Sequence, residues 1–338
     1  MRQLAALAGV SRTTVSLALR NHPSISEATQ SRILKLAKEQ GYTPDPLVSS
    51  LMNQLRTSRK SRLVEKIAFI TSWPTRDGWL DAEFNQCAYR GACARAAKQG
   101  YEIEVVWGKE PGLTSSRLTK ILYTRAIRGI IIAPLLRSKG HLSLDWKYFA
   151  AVTISNTLVK PALYRASHSH YQGMSLGLRR LKQLGFKRVG FANLLDQDER
   201  VNHGWLAGYL VYQHGQSSRN RIPTFLTKKW VRSDFALWLK ENRPDAIISN
   251  SEEALELIQE IGYRVPDDVA YASLDRWEGE RTPAGIDQLP EMTGAAAVDL
   301  VISLLQNNEF GLPRSPKTVN LEGVWCDGWT VNNRIRSK

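Results

Sequence analysis

The chain lacks the features that mark membrane-spanning and disulfide-stabilised proteins. None of its 338 residues lies in an uncharged apolar run near the ~18 residues of a transmembrane helix. Residues 1–9 contain no long apolar stretch and no small-residue cleavage site, so we expect no signal peptide and a cytoplasmic location. Cys87, Cys93 and Cys326 are odd in number and lack metal-ligand spacing. We therefore interpret them as reduced thiols.

Signatures of common enzyme classes are scarce as well. The sequence has no Gly-x-Gly-x-x-Gly loop, no phosphate-binding P-loop and no His-Glu-x-x-His motif, and we expect no nucleophile elbow. His168 and His170 have no third ligand near them in the sequence, so we predict no metal. We expect a protein without catalytic residues and without a cofactor.

Positive charge is concentrated at one end of the chain. The net charge is +14, and residues 1–66 hold 11 of the 46 lysines and arginines but only 4 of the 32 acidic residues. Half of the excess charge therefore lies on about a fifth of the chain. Such a field suits a polyanion, because phosphate contacts release counterions from DNA. A basic surface that serves only solubility explains the charge alone equally well.

Two short helices and a tight turn are predicted at the start of the chain. The first helix has a small apolar face, formed by Leu4, Ala5, Leu7 and Ala8. Gly9 ends this helix, because glycine tolerates the positive φ of a helix stop. Ser11 is placed to cap a second helix over residues 12–19 by accepting a bond from a free backbone N–H. Val15 and Leu19, four residues apart, then face the interior.

A third helix and a further helical segment follow. Ser24 or Ser26 caps the third helix, which runs to Gln40. Pro44 and Pro46 then impose an extended break. Apolar residues after the break recur at helical spacing and predict a short amphipathic helix: Leu47, Val48, Leu51, Met52 and Leu55.

From Lys66 onward, short apolar runs alternate with amphipathic segments. The runs have the length of buried parallel strands and lie at residues 67–71, 102–107, 129–133, 151–155, 189–192, 246–249 and 269–274. Helices are predicted at residues 84–100, 114–127, 172–185, 204–214, 233–242 and 252–262. Repeated strand–helix units predict a doubly wound parallel sheet, which binds ligands beyond the carboxyl ends of its strands.

The stretch from Leu4 to Leu19 carries the most specific motif. Its Ala-Gly-Val-Ser turn followed by Thr-Val-Ser closely resembles the helix-turn-helix of the LacI/GalR family of transcription regulators. The resemblance implies that the second helix enters the major groove of DNA. A three-helix bundle without a DNA role is the alternative.

The same resemblance implies individual DNA contacts. Arg12 and Thr13 hold base-reading positions, and Leu17 holds the next exposed one. Thr14 can reach base edges or phosphates. The remaining contacts are phosphate contacts at Ser16 and Asn21, and a contact of either kind at Arg20.

Gly41-Tyr42-Thr43-Pro44 and the apolar segment after it resemble the hinge helix of that family. The resemblance implies that two hinge helices of a dimer enter the minor groove, where Leu51 wedges between base pairs. Dimer packing is the alternative for this apolar stripe.

More diffuse similarity covers the rest of the chain. Residues 125–133, 173–191, 244–250 and 265–275 resemble parts of the family's two-lobed, periplasmic-binding-protein-like sensor domain. The resemblance implies effector contacts at Ser155, Arg200, Asn250 and Asp275. Such side chains suit a polyol, since carboxylate and amide bind hydroxyls and an arginine spans two oxygens. An ion pair is the alternative for Arg200.

Aromatic side chains complete the predicted effector site, because an aromatic face stacks on the apolar side of a sugar ring. The candidates are Trp73, Trp205, Trp230 and Trp277. Trp73 and Trp277 are favoured, since each follows a predicted strand. Core packing is the alternative for any one of them.

The predicted fold is a small all-α helix-turn-helix headpiece with a hinge helix, followed by a two-lobed α/β sensor domain with parallel sheets. The predicted domains are a DNA-binding headpiece (1–45), a hinge helix (46–56), a linker (57–65) and an effector-binding and dimerisation domain (66–338). Lobe 1 is predicted at about 66–158 plus 288–322, and lobe 2 at about 162–284 plus 324–332.

The resemblance implies a ligand-responsive, sequence-specific repressor of carbohydrate-utilisation genes. Its partners are a double-stranded, pseudo-palindromic operator, a sugar-like effector and a second copy of the chain, because one headpiece reads only half a site. A sugar-binding protein without a DNA role is the first alternative, and an enzyme on the same scaffold is the second. Absence of binding to upstream DNA would favour the first.

Overall fold

The structure, a computed structural model, describes residues 2–19, 24–40, 65–276 and 281–335. The predicted hinge helix, residues 57–64 of the predicted linker and four of the predicted site residues lie outside the described residues: Arg20, Asn21, Leu51 and Trp277.

Three helices form the headpiece, as the sequence predicts. They are α1 (Arg2–Ala8), α2 (Arg12–Ala18) and α3 (Glu27–Glu39). Val15 and Ile33 are fully buried between them. The prediction for Leu7 is wrong, since its side chain is 54% exposed. At ~100° per residue it lies far from the centre of the face that Leu4, Ala5 and Ala8 define.

Local signals set the ends of these helices. Gly9 has a φ of 63°, and the N–H of Val10 donates to the carbonyl of Ala5 at 3.0 Å, which closes the first helix. The Ser11 hydroxyl accepts the N–H of Thr14 at 3.1 Å and caps α2. Ser26 caps α3 in the same way. The arrangement fixes the start of α2, the helix that carries the predicted base-reading residues.

Strands and helices alternate through the rest of the chain. The strands are β1 (Glu65–Thr71), β2 (Tyr101–Trp107), β3 (Gly129–Ile132), β4 (Gly140–His141), β5 (Ala150–Ile154), β6 (Leu158–Lys160), β7 (Tyr164–His168), β8 (Val189–Leu194), β9 (Phe225–Thr227), β10 (Ala246–Ser249), β11 (Ala270–Ser273), β12 (Gly285–Asp287), β13 (Thr318–Leu321) and β14 (Val324–Cys326). The helices are α4 (Glu83–Lys98), α5 (Ser115–Thr124), α6 (His170–Gln183), α7 (Leu195–Arg200), α8 (Gly204–His214), α9 (Arg232–Asn242), α10 (Glu252–Ile261) and α11 (Pro290–Asn307). Short 3-10 turns lie at Gly78–Asp81, Trp146–Tyr148 and Ser218–Asn220.

Twelve of these strands form two six-stranded sheets, one in each lobe, and β4 pairs with β6 in a separate two-stranded sheet. The first has the order β13-β7-β5-β3-β1-β2, with every pair parallel. The second has the order β14-β12-β11-β10-β8-β9, and β14 is antiparallel to β12. Each sheet has an apolar cluster on both faces, so its central strands are buried on both sides. The prediction of two lobes with parallel sheets is confirmed.

The chain passes between the lobes three times. The first crossing follows β7, which pairs with β5 and β13 in the first sheet. It therefore lies after His168, later than the predicted boundary at about 158–162. The second crossing separates β12 from α11, and the third separates β13 from β14. The boundary was misplaced because the short run 164–168 resembles a connecting loop in sequence.

Two glycines allow α4 and α11 to cross in close contact on the first lobe. A Cβ atom at Gly91 would overlap the backbone of Glu291, and one at Gly294 would overlap the backbone of Ala88. Ion pairs tie the exposed sides of the two helices, among them Arg95 with Asp299 at 2.6 Å. Across the described residues, no helix is both long and apolar enough to cross a membrane. The tight crossing fixes the middle of α4 against the start of α11.

Candidate DNA-binding surface and effector cleft

The N-terminal face of α2 is the candidate DNA-binding surface. Arg12 and Thr13 are exposed at its first turn, whereas Val15 and Ala18 on the opposite face are fully buried. The Arg12 guanidinium carries five donors and can bind a guanine edge or a phosphate. The helix therefore presents its hydrogen-bonding groups outward while its other face forms the headpiece core.

The other predicted contacts on α2 are half-buried. The Thr14 hydroxyl lies 2.9 Å from the Ser11 hydroxyl, so it takes part in the helix cap. Ser16 and Leu17 retain partial exposure on the same helix. The structure brings the five described DNA-contact candidates together on one short helix and leaves Arg12 and Thr13 most open to a partner.

On the first lobe, predicted effector residues converge on the loop after β3. The Trp73 indole N–H donates to the carbonyl of Pro134 at 3.0 Å. The Ser155 hydroxyl lies 3.0 Å from the Thr157 hydroxyl, which accepts the N–H of Leu135 at 2.9 Å. Ser155 has a positive φ of 68° directly after β5. These bonds fix the rim of the first lobe at the carboxyl ends of β1, β3 and β5.

Arg200 connects the second lobe to this same loop. It ends α7, directly after β8, and its Nη1 donates to the carbonyl of Leu135 at 2.9 Å and also to that of Leu136. Lys139 and Glu199 form a second contact between the lobes, at 3.2 Å. Nη1 of Arg200 is thus bound to the backbone of the opposite lobe, and Arg200 forms no ion pair with another of the described residues.

On the second lobe, polar side chains follow neighbouring strands. Asn250 follows β10 and Asp275 lies two residues beyond β11, and these strands pair in register at Ser249 and Ser273. The Asn250 Oδ1 atom is buried and has no hydrogen-bond partner among the residues that the structure describes. The Asp275 carboxylate has no hydrogen bond or ion pair within the described part of the chain. Their free acceptor atoms mark the carboxyl edge of this sheet as a site for a polar ligand.

The Asp275 carboxyl lies in a region of negative potential. Burial, together with the charges of Glu83 and Asp287, raises the pKa of Asp275 to about 7. Glu83 is the first residue of α4 in the first lobe, so its charge acts across the cleft. Asp287 ends β12, and its Oδ1 accepts the N–H of Leu289 at 2.8 Å. The cleft thus combines acceptor atoms from both lobes.

Trp230 lies beside the same edge but packs into the second lobe. Its indole N–H donates to the Ser251 hydroxyl at 3.2 Å, and its ring stacks on Phe225 with centroids 5.8 Å apart. Trp205, also considered for the site, is 2% exposed and contacts His170 edge-on. Core packing therefore accounts for Trp205, while Trp230 lies beside the residues that follow β10.

Several residues near the cleft were not predicted. Asn193 on β8 is fully buried, and neither its Oδ1 nor its Nδ2 has a partner in the described part of the chain. Its position just after the predicted run 189–192 was the available signal. No sequence pattern marked the other three residues, because their proximity to the cleft depends on how the two lobes are placed: Glu83, Thr157 and Asp287.

The histidine pair lies at the first crossing between the lobes. The rings of His168 and His170 meet edge-on, with centroids 5.0 Å apart. Burial lowers the pKa of His168 to about 4, and burial also takes the pKa of His170 well below its ordinary value. Both rings are therefore neutral near pH 7. The described residues contain no group of three or more metal-ligating side chains.

One Gly-x-Ser-x-Gly pattern does occur, at residues 173–177. It lies inside α6, where the Ser175 hydroxyl donates to the carbonyl of Tyr171 at 2.9 Å. A nucleophile elbow requires a sharp turn between a strand and a helix. The pattern therefore lacks the geometry of a nucleophile elbow, although the sequence contains the five-residue pattern that an elbow carries.

Comparison with known families identifies both parts of the chain. A family model described as "Bacterial regulatory proteins, lacI family" matches residues 1–45, the headpiece. The chain belongs to the lacI family. A second model, "Periplasmic binding protein-like domain", matches residues 178–321 of the sensor domain of this lacI-family regulator. The predicted family, DNA-binding headpiece and sensor fold are confirmed.

Curated relatives of this lacI-family chain are transcription regulators. The NTD biosynthesis operon regulator NtdR of Bacillus subtilis is 25% identical over 281 residues, which cover 81% of each chain. The HTH-type transcriptional regulator MalR of Streptococcus pneumoniae is 25% identical over 316 residues, 91% of this chain and 93% of MalR. The chain is a DNA-binding transcriptional regulator with a sensor domain.

Solved structures of similar fold span nearly the whole chain. The lac repressor dimer bound to operator and the anti-inducer ONPF has a TM-score of 0.55 and 18% identity, covering 97% of this chain and 98% of that one. The complex of the transcriptional regulator CelR with cellobiose has a TM-score of 0.54, 18% identity and the same coverage. The lacI-family chain shares this two-part fold.

Proposed function

We propose that the chain is a repressor that binds a pseudo-palindromic operator as a homodimer and responds to a sugar-like effector in the cleft between its lobes. It acts on DNA in the cytoplasm and catalyses no reaction. The observation that supports this proposal most strongly is the capped helix α2, which exposes Arg12 and Thr13 on one face and buries an apolar face on the other. Its targets are genes of carbohydrate use.

The assignment of individual DNA contacts follows from this helix. Arg12 and Thr13 read base edges, Leu17 contacts a base from the following turn, and Thr14 and Ser16 support the backbone contacts. We extend the proposal to Arg20, Asn21 and the hinge residue Leu51 on the sequence motif alone. A dimer is required, because a two-fold protein matches the two half-sites of a palindrome.

The effector site is proposed at the carboxyl edges of the two sheets. Asn250 and Asp275 supply free acceptor atoms there, and Trp230 borders them. Trp73 and Ser155 form the facing rim, and Trp277 is retained from its position in the sequence. CelR binds cellobiose in a similar fold, which supports a carbohydrate class of effector.

Coupling between the two sites is proposed to act through the lobe arrangement. Arg200 holds the lobes together by donating to Leu135 and Leu136. A ligand that separates or rotates the lobes breaks these bonds and alters how the two headpieces are spaced. Linkage requires that DNA then changes effector affinity by the same factor.

Selection of bound duplexes from a random-sequence library tests the DNA side. The purified chain is expected to enrich a pseudo-palindrome, and Arg12→Ala is expected to relax the preference at one position in each half-site. A pool that stays random after repeated rounds would contradict the proposal.

A further inference from the structure

Two asparagines lie side by side at the carboxyl edge of the second sheet. Strands β8 and β10 are parallel neighbours, and Phe191 pairs with Ile248 in their register. Asn193 and Asn250 each follow that pair by two residues, so they lie at the same level of the sheet. Neighbouring strands are about 4.8 Å apart, which brings the two amides within reach of one small polar group.

Both amides lie on the same face of this sheet, because side chains alternate between the two faces along a strand. Phe191 and Ile248, two places earlier in each strand, belong to the apolar cluster that α6 and α8 cover. Ala192, the intervening residue of β8, belongs to the cluster on the opposite face. Asn193 and Asn250 therefore lie on the α6 and α8 face.

Three polar atoms of these amides have no hydrogen-bond partner within the described part of the chain. The Asn193 side chain is fully buried, and its Oδ1 and Nδ2 atoms are both without a partner there. The buried Oδ1 atom of Asn250 likewise accepts no bond from the described residues. Because buried amides normally find partners in folded proteins, these atoms point to a bound polar molecule.

A second buried amide in the same lobe shows the contrasting, structural role. Gln213 on α8 is 7% exposed, and its Oε1 accepts the N–H of Ile222 at 3.0 Å. Its Nε2 donates to the carbonyl of Val189 at 3.4 Å. Gln213 therefore joins α8 to two other segments of the backbone, whereas Asn193 makes no such connection among the described residues.

The unpartnered atoms select the chemistry of the ligand. Asn193 and Asn250 together offer two acceptors and one donor. A hydroxyl both donates and accepts, so two adjacent hydroxyls can satisfy all three atoms. A carboxylate only accepts and would face two amide oxygens, while an ammonium group only donates and would leave the Asn193 Nδ2 unpaired. Burial of either charge without a counter-charge is also costly.

We propose that Asn193, together with Asn250, binds two adjacent hydroxyls of a neutral sugar, and that Asn193 determines which effectors are accepted. The inference rests on the proposed effector role of the cleft. Asn193 is covered in the present arrangement, in which Arg200 donates across the cleft to the carbonyl of Leu135. A ligand therefore reaches the Asn193 amide only when the structure opens at this edge, which couples its binding to a rearrangement.

Removal of the amide tests the inference without knowledge of the effector. Asn193→Leu and Gln213→Met, each close in shape to the original residue, are compared by denaturant unfolding of the full chain. Gln213→Met leaves the Ile222 N–H unpaired and is expected to lower the folding equilibrium constant about tenfold. Asn193→Leu removes only unpartnered groups and is expected to leave this constant unchanged or to raise it.

The opposite result for Asn193→Leu is equally clear. A fall in the folding equilibrium constant as large as that of Gln213→Met would mean that the folded chain itself satisfies the Asn193 amide. That outcome would overturn the inference.

Matched ligands test the chemical class directly. Calorimetric titrations of the full chain compare glucose, galactose, maltose and cellobiose with glucuronate, galacturonate, glucosamine, adenine and guanine. At least one neutral sugar is expected to bind more tightly than every charged sugar and both nucleobases. Asn193→Ala is expected to weaken that binding about tenfold, since it removes two hydrogen-bonding atoms.

Asn242→Ala is the matched control for this titration. Asn242 ends α9 ahead of β10, and its amide donates to the carbonyl of Trp238 at 2.9 Å. The variant should bind the same sugar as wild type does. Absence of neutral-sugar binding, a preference for a charged sugar or a nucleobase, or undiminished binding by Asn193→Ala would each overturn the inference.

The duplex selection separates this inference from the proposed function. A chain that enriches a palindrome but binds its effector equally well without the Asn193 amide keeps its role as a regulator and loses only this contact. A chain that enriches no duplex loses the proposed function, whatever the sugars show.

Discussion

The headpiece and the effector cleft hold their functional side chains in opposite environments. Arg12 and Thr13 are exposed on one face of a helix whose other face is the headpiece core. In the cleft, Asn250 and Asp275 are half-buried, and their acceptor atoms have no partner among the described residues. A surface for DNA therefore adds little strain to the headpiece, whereas the ligand site lowers the stability of the second lobe.

The largest expected effect is loss of the headpiece core without loss of the sensor. Ile33→Ala removes a fully buried side chain from a very small core and is expected to destabilise the headpiece by about 2–5 kcal/mol. Duplex binding should disappear, while thermal unfolding of the sensor stays unchanged. Leu34→Ala, at a side chain 42% exposed on the same helix, is the matched control and should bind DNA normally. An equal loss of duplex binding in Ile33→Ala and Leu34→Ala would contradict the difference expected between the headpiece core and its surface.

The cleft is expected to make stability depend on pH through Asp275. Because its folded pKa is raised to about 7 from 3.8, the folded state binds this proton more tightly than the unfolded state. The stability that the Asp275 carboxyl contributes is therefore present in full below pH 4 and is lost as pH rises through 7. Between these values the free energy of unfolding falls with a limiting slope of about 1.4 kcal/mol per pH unit. Unfolding of wild type and Asp275→Asn across this range measures the difference.

A carboxylate outside the cleft provides the control for this pH effect. Asp268 is paired with Arg264 at 2.8 Å, and hydrogen bonds from that arginine lower the pKa of Asp268 to about 2. Asp268→Asn should remove a contribution to stability that is present above pH 4 and is lost as pH falls through 2. This pH dependence has the opposite sign to the one expected for Asp275. A flat difference for Asp275→Asn would show that the cleft does not hold this carboxyl in a buried, negative environment.

Arg12→Ala is expected to act on specificity and to leave the fold intact. The loss should be about 1–3 kcal/mol of discrimination at one base pair of each half-site, since a base-reading arginine donates to a base edge. Competition between the enriched duplex and its single-base variants measures this. Lys35→Ala, an exposed cation on α3, serves as the comparison. Uniform weakening on all duplexes would assign Arg12 to phosphates instead.

The smallest expected effect concerns the cap of α2. Ser11→Ala removes the hydroxyl that accepts the Thr14 N–H and should cost the helix about 0.5–2 kcal/mol. Faster hydrogen exchange at the Thr14 amide and weaker duplex binding are expected. Ser26→Ala removes the cap of α3 and should leave exchange at Thr14 unchanged. Unaltered exchange in Ser11→Ala would mean that the cap does not order the reading helix.

Local signals explain why the headpiece was predictable. Gly9, Ser11 and Ser26 end or begin helices through bonds to their own neighbours, so their roles are visible in a short stretch of sequence. The long runs that became β1, β5 and β8 were equally clear, because both faces of these strands are buried.

Other parts of the fold depend on distant partners. No helix was predicted over α11, whose apolar residues surround much of its axis because it packs on both α4 and the first sheet. Strands β12, β13 and β14 have only three or four residues, and β7 carries Arg165, Ser167 and His168, so none of them forms a long apolar run in the sequence. The contacts of Arg200 with Leu135 and Leu136 likewise require two lobes in position, which no local pattern encodes.

The most direct test of the account is the ratio of two dissociation constants for the full chain at physiological salt. One is for its enriched duplex and the other for a scrambled duplex of equal length and composition. A helix-turn-helix regulator is expected to bind the enriched duplex about a thousandfold more tightly, or better. A ratio near one would contradict the central claim that the headpiece reads DNA sequence.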